Sequence, residues 1–503
     1  MSTARKLLKG SVFRNLDLFL SIGAAFAMTP FIVHALGARA YGFWVLILAF
    51  MGYYNLMNYG IYAAAARYAA QAIGKGDHDE VNRVAGTGLL LLGLIGVATM
   101  AVTAAAAAAC PLFIRDPAEA ALFRRVLLIL GGATAASFPL NMFTGILTAN
   151  VRYDASAAIS IGKTFLVSAG VWAALTHGHG IAALATITAA GNLFVNLASY
   201  AACRVQLPYL RALPPRWDGA RAREMFDYGW KILVSQIGDV LRFQIDSLVI
   251  ATFLSATLLT GFSIGVRLVD GFTSLVMSSV GMMVPVFSQY EGRGDYDAMR
   301  SALLKVTKAT TLLTVFVGYS ILFYGRPFIL RWMGPGYETS FLVTAILCAA
   351  MLVELPQAPG VQLLYGLSKH EPYAFLNVGG ALLNVALSLL LVRRFGMYGV
   401  ALGTALEVFI VKLFIQPRMI CRVVNLPVRA FLGEAILATA LKAAVPLGLY
   451  FWAIRGFVRP DYLNLTLCVG LQTVLFVPTA YFLIISREER AFVDRTLGLR
   501  GTR

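Results

Sequence analysis

Charge is what this chain has least of. Of its 503 residues, 13% are Asp, Glu, Lys or Arg and 59% are hydrophobic, about half the charged share of a soluble globular domain. Stretches 84–109, 126–151 and 462–486 hold no charged residue, and each exceeds the roughly 20 residues a helix needs to cross a hydrocarbon core. That excludes a cytosolic enzyme and requires a polytopic membrane protein. Cysteine is scarce as well: Cys110, Cys203, Cys348, Cys421 and Cys468 stand singly, in no spacing that suits a metal site or a disulfide framework. No glycine-rich phosphate loop or nucleotide-binding segment is present, which argues against ATP hydrolysis. The longer outer loops hold Asp116, Glu119 and Glu338 without a paired-acid motif. A membrane glycosyltransferase or polysaccharide polymerase is therefore the weakest functional reading.

What is there is a succession of apolar runs. Read with tolerance for an occasional charge, they give fourteen candidate helices from 16–36 to 462–486, with the second at 42–66 and the seventh at 228–252. The expected fold is all-α and polytopic. An even count puts both termini on one side. The net charge of +17 is unevenly spread: 204–231 holds six Lys and Arg and the tail after 486 holds five. With both termini cytoplasmic, most basic residues fall inside, as the positive-inside rule requires. Attraction to anionic headgroups then accounts for the charge without nucleic acid. The basic start, "MSTARKLLKG", runs into a segment of spanning length with no small-residue cleavage pattern, so an uncleaved first helix is expected.

A polar island, "GKGDHDEVNR", interrupts the apolar chain at 74–83, and a near copy, "GRGDYDAMRS", lies at 292–301. The offset is 218. Pro139, Arg152 and Asp154 recur as Pro356, Lys369 and Glu371 at offset 217, and "GIAA" at Gly180 recurs as "GVAL" at Gly399. Three anchors in register mean a duplicated unit of six spans in parallel orientation. The implied organisation is a first lobe at 1–203, a cytoplasmic loop at 204–227, a second lobe at 228–420, an extra helix pair at 433–486 and a cytoplasmic tail at 487–503. The islands themselves read as tight turns.

Ionised residues within spans each cost about 2.5–3.5 kcal/mol at mid-bilayer, so each requires a wet cavity or a partner. Asp239, Arg242 and Asp246 are three and four apart and share a helical face; Arg267 and Asp270 follow on the next helix. They either line a cavity between the lobes, where the planar fork of arginine suits a pyrophosphate, or pair with one another structurally. Arg67 stands at the end of the second span, where it meets headgroups or an entering substrate. Glu354, Glu407, Lys412, Glu434 and Lys442 are further buried-charge candidates. Pro139, Pro356 and Pro359 are hinge candidates, because each removes a backbone donor from a helix.

The run "FIVHALGARAYGFWVLILAFMGYYNLMNYGIYAAAARYAA", with "FDYGWKILVSQIGDVLRFQIDSLVIATFL", "TGFSIGVRLVDGF" and "VPVFSQYEGRGD" in the second half, resembles bacterial polysaccharide flippases of the multidrug/oligosaccharidyl-lipid/polysaccharide exporter superfamily. The resemblance implies a non-enzymatic carrier of the inner membrane. Its cargo would be a polyprenyl-pyrophosphate-linked oligosaccharide, moved from the cytoplasmic to the periplasmic leaflet by alternating access for surface or exopolysaccharide synthesis. No cofactor or metal is expected; a proton or sodium gradient is the candidate driving force. Membrane lipids, a polysaccharide polymerase and a chain-length regulator are candidate partners. Asn58 and His34 depart from the acidic and basic residues common at those places, which withholds an ion-coupling role from the first lobe. The alternative is a multidrug/cation antiporter of the same superfamily.

Overall fold

The structure is a computed structural model that describes the backbone of residues 3–113, 116–150, 152–210, 215–281, 283–486, 490 and 494. Side chains are described for all of these except 3–12, 55, 57, 59, 112, 113, 231, 234, 235, 239, 242 and 243. Among the described residues there are fourteen helical passages and no strand. The first seven are α1 Thr3–Leu36, α2 Ala38–Lys75, α3 His78–Phe113, α4 Pro117–Ala149, α5 Tyr153–Thr176, α6 Ile181–Gln206 and α7 Gly219–Phe253. The next seven are α8 Ala256–Arg293, α9 Tyr296–Met333, α10 Ser340–Gly366, α11 Glu371–Phe395, α12 Met397–Val423, α13 Arg429–Ile454 and α14 Tyr462–Ile484.

Twelve of these are long and apolar enough to cross a membrane among the described residues. The two outside that set are α2 and α7. Both have ample length, 38 and 35 residues, or more than 50 Å at 1.5 Å per residue. In α7 the apolar stretch among the described residues is Gln244–Phe253. On α14 the outward leucines Leu463, Leu467, Leu471 and Leu483 are all exposed, a surface that water would not tolerate and acyl chains do. The chain is a multi-pass membrane protein.

The two polar islands fold alike. At the end of α2, Gly76 takes φ 72, its N–H donates to Ile73 O at 3.1 Å, and the Asp77 N–H donates to Ala72 O at 3.0 Å. At the end of α8, Gly294 takes φ 68, with Gly294 N–H to Glu291 O at 2.9 Å and Asp295 N–H to Tyr290 O at 3.1 Å. Both are left-handed glycine caps in which the last carbonyls find donors after the helix stops. Each aspartate then caps the next helix: Asp77 Oδ1 accepts from the Glu80 N–H at 2.9 Å and Asp295 Oδ1 from the Ala298 N–H at 3.0 Å. The kinship extends to tertiary contacts. Asn82 Nδ2 donates to Tyr209 O at 3.0 Å, and at offset 218 Arg300 Nε donates to Val424 O at 2.7 Å.

By packing, the chain divides into two compact units, Met1–Thr260 and Gly261–Arg503. The first joins α7 to α2, and glycine makes the union possible. A Cβ on Gly60 would stand 2.4 Å from the Gly229 carbonyl oxygen and one on Gly52 2.6 Å from the Gln244 side chain, while one on Gly42 would stand 1.8 Å from Ala256 O at the start of α8. Spaced ten and eight apart, these glycines keep one face of α2 flat along its length. In the second unit, α9 buries Thr307, Thr310, Thr311 and Thr314, and the Thr311 hydroxyl reaches Ala435 O on α13 at 3.4 Å.

Candidate functional site

The second unit holds a buried polar seam between α11 and α12. On α11, Tyr373, Asn377, Gly380, Asn384 and Ser388 recur every three or four residues, a helical stripe in an otherwise apolar span. On α12 the facing positions are Gly403, Thr404, Glu407 and Lys412. Ser388 Oγ and Thr404 Oγ1 both donate to Asn384 Oδ1, at 3.1 and 3.3 Å. Glu407 is 1% exposed and lies over Gly380, where a Cβ would come within 2.5 Å of its Oε1. A side chain at 380 would displace that carboxylate from its present place.

The seam ends at Lys412, which is 1% exposed. It lies fifteen residues into α12 and eleven from its end, about 22 and 16 Å along the axis, hence deep in the span. Its Nζ donates to Asn377 Oδ1 at 2.8 Å, stands 3.8 Å from Glu354 Oε1 and lies 5.2 Å from the centroid of the Tyr373 ring. An ammonium held without such partners would cost several kcal/mol after desolvation. An amide oxygen, a carboxylate and an aromatic face offset that cost together.

Two backbone irregularities bring these side chains together. Residues Leu355–Gln357 form a 3-10 turn between the two α-helical parts of α10. Pro356 and Pro359 lack the N–H groups that a regular helix would use there. In α12, Val408–Ile415 is π-helical, a widened turn often found at functional positions. In that register the donor for Lys412 O would be residue 417, and Pro417 has none to give. Gln357 Nε2 supplies it at 2.6 Å, while Gln416 Nε2 donates to Gln357 Oε1 at 3.3 Å. The proline break of α10 and the π-turn of α12 are thus tied by one amide.

Among the residues singled out from sequence, Glu354 and Lys412 meet here, beside Pro356 and Pro359. Pro139 lies inside α4, which continues helically through it. Asp246 is buried in the first unit, with Tyr53 of α2 in its electrostatic field. The side chains of Asp239 and Arg242 lie outside the described residues. On α8, Arg267 is half-buried and Asp270, three residues on, is exposed with Arg267 as its opposite charge. Arg67 is exposed, its guanidinium 4.3 Å above the Tyr228 ring of α7. Sequence reasoning passed over Gln357, Tyr373, Asn377 and Gln416. The signal for Asn377 was available: a stripe of polar and small residues at helical spacing inside an apolar run. For the glutamines the nearby prolines were the clue.

Comparison with known proteins completes the site's context. The sequence profile described as "Polysaccharide biosynthesis protein" matches residues 36–341. The uncharacterized membrane protein EpsK of Bacillus subtilis is 22% identical over 485 residues, covering 95% of this chain and 96% of that one. In structure, the lipid II flippase MurJ in an inward closed conformation superposes with a TM-score of 0.69 at 15% identity, over 98% of this chain and 99% of its own. A multidrug resistance MATE family transporter of the MOP superfamily, inward-facing, gives 0.65 at 15% identity over 81% of this chain and 95% of its own. With a profile match over more than half its length and this fold throughout, the chain belongs to the polysaccharide biosynthesis protein family.

Proposed function

We propose that this protein is a flippase that carries a polyprenyl-pyrophosphate-linked oligosaccharide from the cytoplasmic to the periplasmic leaflet of a bacterial inner membrane, with both termini cytoplasmic. The obstacle it removes is the polar head, whose hydroxyls and roughly two negative charges cannot enter hydrocarbon unaided. A carrier solves this by alternating access, exposing a polar site to one leaflet and then the other while the tail stays in lipid. Family membership supports the polysaccharide context, and the fourteen-helix plan, matched over 98% of the chain by a lipid II flippase, supports lipid-linked cargo over a drug.

The observation that carries the reading is the Glu354–Lys412–Asn377 contact. A buried ion pair seated on a 3-10 break and a π-turn is an element with two available arrangements, paired and separated. A proton or sodium ion that competes for Glu354 shifts the balance between them. In this reading Glu354 and Lys412 couple the ion gradient to the conformational cycle, Arg242 and Arg267 contact the pyrophosphate, and no covalent chemistry occurs.

The test is translocation of a fluorescent lipid-linked oligosaccharide in proteoliposomes under imposed proton or sodium gradients. Gradient-dependent flipping that is lost in Glu354→Gln and Lys412→Met supports the reading. Absence of flipping under every gradient, together with export of cationic drugs by the same vesicles, would move the protein to the antiporter class, which the 0.65 superposition on a multidrug transporter also accommodates.

A further inference from the structure

We propose that α13 is a docking surface for a transmembrane helix of another protein, one that carries an aspartate or glutamate at mid-bilayer depth to pair with Lys442. The proposal stands on α13 and does not depend on the cargo named above. Arg429–Ile454 has 26 residues, and Lys442 lies at its middle, about 20 and 18 Å from the two ends. That leaves about 15 Å to either edge of the hydrocarbon core, farther than a four-carbon stem can lift its ammonium toward the interface. Lys442 is exposed, and no carboxylate pairs with it among the described residues. Pro446, inside the same helix, withholds the N–H that a regular turn would give to the Lys442 carbonyl. Both polar groups lie at a depth where acyl chains offer neither charge nor donor.

The surroundings of Lys442 fit a helix better than lipid. Ala438, Lys442, Val445, Leu449 and Trp452 follow at intervals of four, three, four and three, the seam spacing of two packed helices. Val445, Leu449 and Trp452 are 61%, 64% and 65% exposed, so the seam is uncovered. The other side of α13 is already used: Ala443 and Leu447 are buried with Val315 of α9 and Phe476 of α14. A single lysine at a seam position selects a partner and its register, and here charge decides which partner. A second copy has the same orientation in the membrane, so seam against seam would set Lys442 against Lys442. Its exposed Glu434 lies about 12 Å nearer the start of the helix and does not reach. Anionic headgroups stay at the interface. A carboxylate on another membrane helix is held at the right depth, and pairing inside the membrane is how such charges are accommodated.

The probe is a synthetic transmembrane peptide of leucine and alanine with one central glutamate and a diazirine one turn away, added to the full-length protein in phosphatidylcholine nanodiscs. Crosslinks should map to Val445 and Leu449, and glutamine in place of the peptide's glutamate should cut labelling about tenfold. Lys442→Met should cut it equally with an unchanged melting temperature, and Lys442→Glu should restore it toward a peptide with a central lysine. Labelling indifferent to these changes would overturn the proposal. Displacement of the peptide by a prenyl phosphate would overturn it too, by assigning the lysine to a lipid anion. So would reaction of Lys442→Cys with a membrane-impermeant thiol reagent, which places the position in a wet cavity, or disulfide formation by Leu449→Cys between two copies, which assigns the seam to self-association. The transport reading is judged separately. Lys442→Met should flip lipid-linked oligosaccharide at the wild-type rate in vesicles that hold no partner; loss of flipping in that folded variant would make Lys442 part of the carrier and reject the docking role. A wild type that never flips rejects the flippase, while the crosslinking result still decides the docking surface.

Discussion

The helix pairs α5–α6 and α11–α12 occupy the same place in the duplicated sequence, yet their interfaces have opposite character. Between α5 and α6, a Cβ on Gly191 would meet Val167 at 2.3 Å and one on Gly170 would meet Ile187 at 3.0 Å, an apolar fit of glycine on branched side chains. Between α11 and α12, the corresponding fits are Gly380 beneath Glu407 and Gly403 against Ser388, joined by Asn384 and ending at Lys412. The backbone solution, a glycine under a neighbouring side chain, survives in both. What differs is the chemistry of the side chain above it. Duplication preserves turns and close approaches, because these are set by backbone sterics; polar content is free to diverge once a partner residue on the facing helix can satisfy it.

The largest expected effect follows from that contrast. Lys412→Met leaves Glu354 and Asn377 without their cation and should destabilise the protein by about 3–5 kcal/mol, read as a lowered melting temperature in detergent. The double variant with Glu354→Gln should recover part of the loss. Lys163→Met, in the α5–α6 pair, should cost less than about 1 kcal/mol, because Lys163 lines an open crevice beside Ser21 and Thr164. Equal costs for the two lysines would break the comparison.

Next in size is Gly60→Leu, which forces α2 from α7 and should cost about 1–3 kcal/mol. Limited proteolysis should show the damage in the first unit while sites within 261–486 keep their protection. The smallest effects concern the islands, where the copies agree. Asp77→Ala and Asp295→Ala each remove one cap and should each cost about 1 kcal/mol. Their melting curves should match closely; a difference beyond that scale would show that the two turns carry unequal loads.

Much of this was legible beforehand because it depends on local physics. Uncharged runs of spanning length dictate helices in lipid, where every backbone polar group must be bonded within the segment. Gly-x-Gly-Asp dictates a left-handed cap followed by a helix start, and the 218-residue offset of "GKGD" and "GRGD" foretold that both would fold the same way. Glu354 and Lys412 stood out as charges in apolar surroundings. Their meeting did not, since 58 residues and a full helix separate them in the chain.

The sequence by itself determined the membrane, the helices, their turns and the doubled plan, all of which follow from hydropathy and from backbone sterics within a few residues. Only the tertiary structure decided three things. It joined α2 to α7 through Gly52 and Gly60 and to the start of α8 through Gly42; it let Gln357 replace the donor that Pro417 withholds; and it set Lys412 against Asn377 and Glu354. Each depends on which faces of distant helices come into contact, and that choice is made by packing over the whole unit, where no local pattern records it.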